Sequence, residues 1–108
     1  MKAVGLYLRS SDMRYQLVLQ WSSASVLEDY GPLIEIENLL LDKLGEQDVV
    51  DGHDAGSDEM NIFIVTDDPF ACFERVKAIL ESRESWATVR VGYREISETN
   101  FKPYFRNA

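Results

Sequence analysis

Cysteine and histidine are nearly missing from this 108-residue chain: Cys72 and His53 are the only ones. A lone cysteine excludes an internal disulfide and every zinc site built on a cysteine cluster. A lone histidine excludes an H-E-x-x-H centre, so a histidine-based metal site would have to be completed by carboxylates. Basic residues are also few, with 11 Lys and Arg against 19 Asp and Glu and a net charge of −8. Such a surface repels phosphate backbones, which argues against nucleic-acid binding; it suits a basic protein partner or plain solubility. No apolar run approaches the length of a membrane span, and the N-terminal run MKAVGLYLRS meets Arg9 before reaching secretory-signal length. A cytoplasmic setting is the expectation. The chain also lacks a Gly-x-x-x-x-Gly-Lys phosphate loop and a serine in a nucleophile-elbow context.

What is present is a hydrophobic fraction of 45% beside a charged fraction of 28%, a balance that fits one folded domain over residues 1–108. Residues 3–9 read as a first strand and Ser10-Ser11-Asp12 as a turn. In 14–21, Tyr15, Leu17, Leu19 and Trp21 alternate with Arg14, Gln16 and Gln20, the period of a strand with one buried face. Val18 breaks the polar side and points to an interior strand. A capping box at Ser25–Glu28 and the pair Gly31-Pro32 offer two helix starts, with the main helix expected near 32–44 and ended by Gly45. Residues 46–53 and 60–66 read as strands, the second apolar on both sides as a central strand would be. Asp67-Asp68-Pro69 opens a helix, with Asp68 as cap and Pro69 in its first turn; it runs to about Ser82 and buries Phe73, Val76 and Leu80. Residues 86–96 alternate again, with Val89, Val91 and Tyr93 on one side.

Strand, helix, hairpin, helix, strand is the split βαβ order. It predicts a ferredoxin-like α+β two-layer sandwich: an antiparallel sheet of four to five strands with two helices on one face. The other sheet face, carrying some of Phe63 and Val65, must stay polar or meet a partner. A homodimer is expected there, with the aromatic tail 97–108 (Phe101, Tyr104, Phe105) at an interface.

Two features carry candidate chemistry. Around His53 lie Asp51, Asp54, Asp58 and Glu59. An EF-hand reading fails, because counting from Asp51 the third position is His53, the fifth Ala55 and the twelfth Ile62. Gly52 and Gly56 bracket the acids at a spacing suited to a tight or bulged connection, and the acids individually read as turn residues. His53 is a proton acceptor, a metal ligand or a buried hydrogen-bonded prop, and a prop is the commonest fate of a single histidine. The second feature is Glu37. Helical spacing puts Leu33, Ile34, Leu40, Leu41 and Leu44 on one face with Glu37 near its middle, so its carboxylate must find a proton, a cation or several donors. His53, Asn61, Tyr93 and Arg94 are its candidate partners. Glu37, Asn61 and His53 are expected to share a polar network under the helix, first as a device fixing helix to sheet and second as a ligand site. Cys72, Trp21 and Trp86 read as core, and an exposed ion pair is the simplest role for Arg94.

The segments LVLQW, VVDGHDAGSDEMNIFIVTDDP and GYRE together resemble a group of small uncharacterised bacterial proteins, and VDGHD-x-G-x-x-E-x-N-I-F-I is the specific part. The resemblance implies a compact α+β domain in a bacterial cytoplasm and carries no catalytic assignment with it. The functional expectation is a non-enzymatic binding or interaction module without a cofactor. The alternatives are an immunity or inhibitor protein neutralising a basic toxin, and a small metal-dependent hydrolase built on His53, Asp51, Asp54 and Glu37.

Overall fold

Tyr15, Leu17, Leu19 and Trp21 do share one side of a strand, β1 (Tyr15–Ser22), and Leu17, Leu19 and Trp21 are fully buried. The computed structural model describes residues 14–22, 30–55, 59–97 and 102–103. The expected strand at 3–9, the capping box at 25–28, Gly56, Asp58 and the tail aromatics lie outside the described residues. After β1 come α1 (Tyr30–Lys43), β2 (Asp48–Ala55), β3 (Glu59–Thr66), α2 (Pro69–Leu80), a 3₁₀ turn (Glu84–Thr88), β4 (Arg90–Glu95) and the short β5 (Lys102–Pro103). The sheet order is β2-β3-β1-β4-β5, with every pairing antiparallel. This is the ferredoxin-like arrangement: the two most apolar strands, β1 and β3, lie side by side in the interior of the sheet, covered on at least one side, and β4 lies between β1 and the two-residue β5.

Both helices lie on the same sheet face. Leu33, Ile36 and Leu40 of α1 and Cys72, Phe73, Val76 and Leu80 of α2 join one cluster with Leu17, Leu19, Trp21, Met60, Ile62, Ile64 and Val91. Each such large side chain contributes about 1.5–3 kcal/mol relative to exposure, so burial rather than helix propensity holds the two layers together. Asp68 caps α2 as its sequence implies: Oδ1 accepts from the backbone N–H of Phe70 and of Ala71, both at 3.1 Å. Among the described residues no helix is long and apolar enough to cross a membrane.

Four local expectations need correction. The buried side of α1 is centred on Leu33, Ile36 and Leu40, whereas Ile34 and Leu41 are 40% and 57% exposed. Seven aliphatic side chains (Leu33, Ile34, Ile36, Leu39, Leu40, Leu41, Leu44) offer several apolar arcs, and the sheet selects one of them. Glu37 consequently stands at the flank of the buried face instead of its middle. Gly45 does not end α1 in a left-handed conformation, since Gly52 is the only described glycine with positive φ; a turn closed by Asp48 N–H on the Gly45 carbonyl follows instead. β2 begins at Asp48 and continues past the expected end at 53 to Ala55, so Asp54 joins Asp51 and His53 in the strand. Trp86 sits in the 3₁₀ turn and β4 starts only at Arg90; the turn seats Trp86 on Phe73, ring centroids 5.8 Å apart, and lets Trp21 Nε1–H donate to the Ser85 carbonyl at 2.9 Å.

Candidate functional site

Simple alternation along β2 would send Val50, Gly52 and Asp54 toward the helices and His53 away from them. The strand avoids this with a β-bulge between Val50 and Gly52: Val50 pairs with Ile64, Gly52 with Phe63 and His53 with Ile62, leaving Asp51 as the extra residue. Gly52 takes φ +132°, a conformation closed to most side chains. The bulge reverses the parity, so His53 and Ala55 face the helix layer while Asp54 faces the other way. His53 Nδ1 then lies 2.9 Å from Glu37 Oε1 on α1, an arrangement in which Nδ1–H donates to the carboxylate. The Glu37 side chain is 13% exposed and that of His53 32%, so the pair is a clasp at the sheet edge more than an open reactive centre.

The sharing of this network with Asn61 does not occur. Asn61 pairs with Gln20 and Asp54 in register, which puts it on the sheet face away from the helices. There its Oδ1 accepts from Gln20 Nε2 at 3.1 Å, and the same amide donates to Glu59 Oε1 at 2.7 Å. Arg94 is on that face too, and its Nε–H donates to Gln16 Oε1 at 3.1 Å. Tyr93 faces the helices, but it packs edge-on against Phe70 at 5.2 Å, on α2 instead of α1. Of the four partners expected for Glu37, the structure brings His53 to it. Asp51, His53, Asp54 and Glu37 do not converge, because successive strand residues point to opposite faces. Among the described residues no group of three His, Cys, Asp or Glu side chains is placed to hold a metal ion.

A more deeply buried charge was not visible in the sequence pattern. Asp48 opens β2 and is 4% exposed. Its carboxylate accepts from Arg75 Nε at 2.5 Å, from Arg75 Nη2 at 2.9 Å and from Thr66 Oγ1 at 2.8 Å. Burial pushes the Asp48 carboxyl up, but the Arg75 fork and the Thr66 hydroxyl outweigh it and hold the group below its ordinary value. Cys72 is sealed beside it; burial, with the Asp48 charge adding to it, raises the thiol far above its ordinary range.

A cleft opens where β3 hands over to α2. It holds about 400 Å³ and is lined by Tyr15, Asp67, Asp68, Pro69, Phe70, Tyr93 and Glu95. The first position of β1 supplies Tyr15, and the last two helix-facing positions of β4 supply Tyr93 and Glu95, since Tyr15 pairs with Glu95 and Leu17 with Tyr93. The Asp-Asp-Pro-Phe turn supplies the remainder, and Phe70 stays 48% exposed because it sits in the first turn, beyond the buried stripe of α2. Aromatic rings and carboxylates lining one concavity form a surface suited to a cationic or amine group. Of the expected site residues only Tyr93 belongs here. The signal that could have found the rest is an aromatic residue directly after a helix-opening Asp-Asp-Pro, on the side where two strand ends each present a tyrosine. No family model, curated protein or solved structure matches the chain.

Proposed function

We propose that the protein is a binding module rather than a catalyst, and that a basic protein partner places a lysine or arginine side chain in the cleft beside α2. The observation that carries this reading is the make-up of that cleft, in which the rings of Tyr15, Phe70 and Tyr93 stand with Asp67, Asp68 and Glu95 around one concavity. A cation over an aromatic face gains about 0.5–2 kcal/mol, more as water is excluded. The net charge of −8 adds long-range attraction for a basic partner and speeds encounter. Neutralising a basic toxin in a bacterial cytoplasm is one form such a role takes. The hydrolase alternative has less support, because His53 is engaged with Glu37 while Asp54 faces the opposite side of the sheet.

Isotope-labelled protein titrated with a short Lys- and Arg-rich peptide tests the proposal. The expected result is a set of amide shift changes centred on Tyr15, Asp67, Phe70 and Tyr93, with Asp67→Asn plus Phe70→Ala weakening the affinity by roughly tenfold. Peptide binding that leaves these residues unmoved, or an affinity indifferent to the double variant, would overturn it.

A further inference from the structure

The sheet face turned away from the helices has an ordered distribution of charge. Strand register aligns Asp54, Asn61, Gln20 and Arg90 in one row across β2, β3, β1 and β4. At a strand spacing of about 4.8 Å, roughly 14 Å separates the two ends of that row. Its ends, Asp54 and Arg90, are both exposed. Glu59 extends the acidic side on β3, and Arg94 extends the basic side on β4. The adjacent row runs Gly52, Phe63, Val18, Gly92, so side chains rise only from the two middle strands. One half of this face is therefore acidic and the other basic, with the half-buried Phe63 and the buried Val18 between them.

We infer that this face docks a second copy of the chain, with the twofold axis parallel to the strands so that β2 of each copy lies over β4 of the other. Two sheets stacked face to face about 10 Å apart admit two such axes. An axis across the strands puts β2 on β2 and β4 on β4, acid against acid and arginine against arginine. An axis along the strands exchanges the halves: Asp54 meets Arg90 of the other copy twice, Phe63 lies over Val18, and Gln20 over Asn61. A chain of net charge −8 repels its own copy, so only the arrangement that reverses sign across the contact is electrostatically admissible. Val18 and Asn61 are only 8% and 6% exposed, so the charged rim, more than a broad apolar patch, determines orientation. This inference does not rest on the cleft, which opens on the helix side of the sheet.

The test is light scattering across the micromolar range on the full chain and on the charge reversals D54R and R90D, with circular dichroism to verify folding. The wild type is expected to be dimeric. Each single reversal places two like-charged contacts in the dimer and is expected to weaken association by at least roughly tenfold. Mixing D54R with R90D restores both contacts and is expected to return a dimer of one copy of each. A monomeric wild type, single variants as dimeric as the wild type, or a mixture that stays monomeric would each overturn the inference. The double reversal D54R/R90D is expected to pair with itself and not with the wild type; its association with the wild type in preference to itself would identify the other axis and overturn the inference as well.

Discussion

Asp48 is charged at the bottom of a layer contact, and that is tolerable only because its bonds are arranged as they are. The guanidinium of Arg75 meets it with two N–H groups while its own side chain stays 33% exposed, so the cation remains hydrated and only the anion is withdrawn from water. Because the folded state holds this carboxyl below its ordinary value of 3.8, the bonded anion stabilises the fold at every pH above that value. That stabilisation is lost as pH falls from there through the lower folded value. Asp48→Asn keeps the shape, removes the charge and leaves Arg75 a hydrated cation, so a loss of about 1–3 kcal/mol at neutral pH is expected. The difference between wild type and variant should be constant at neutral pH and shrink below pH 4 or so, the acid side of the carboxylate range. Urea unfolding at a series of pH values measures it. A gap that widens on acidification would show that the Arg75 and Thr66 bonds do not govern this carboxyl.

At the scale of one element, β2 depends on Gly52. An added Cβ there would meet nothing within 4 Å, so space does not require glycine; the backbone at φ +132° does. Gly52→Ala is therefore expected to cost about 1–3 kcal/mol through backbone strain alone. If the strand relieves that strain by losing its bulge, His53 turns away from Glu37. Thermal unfolding together with the His53 ring proton shifts distinguishes the two outcomes, and a variant with unchanged stability and unchanged shifts would contradict the role given to this residue. The same bulge explains which parts of the fold could be read from residues alone. β1 and α2 were legible because Tyr15, Leu17, Leu19 and Trp21 recur at a period of two, interrupted on the polar side only by Val18, and Asp68-Pro69 is a local capping signal. β2 was not, because an inserted residue reverses alternation midway and VVDGHDA then matches no single period. The face of α1 was ambiguous because apolar side chains surround so much of it, and with the wrong face came three wrong partners for Glu37 beside the right one, His53. The cleft was illegible for another reason: Tyr15, Phe70 and Glu95 are remote in the chain and meet only once the sheet order is fixed.

At the scale of the molecule, α1, α2, β1, β3 and β4 contribute to one contiguous cluster against which Val50 and Ala55 of β2 pack, so neither α1 nor α2 has an apolar interior that could survive without the sheet. A fold built this way should open all at once, as small single domains usually do. Cys72 can report on that directly. It is the only cysteine, it is fully buried between α2 and the sheet, and its raised pKa keeps it protonated and unreactive in the folded state. A thiol reagent can reach it only through an opening that withdraws α2 from Asp48, Thr66 and the core. Where closing is faster than labelling, the labelling rate measures the free energy of that opening, and its dependence on denaturant measures the surface exposed. The expected outcome is a free energy and a denaturant slope equal to those of global unfolding followed by tryptophan fluorescence, since Trp21 and Trp86 belong to the same cluster. A shallower slope would mean that α2 detaches while β1 and β3 stay paired. In that case the cleft at its N-terminus would be assembled and dismantled in the native state, and any cationic partner would bind only the fraction of molecules in which α2 is docked, with its apparent affinity lowered by that fraction.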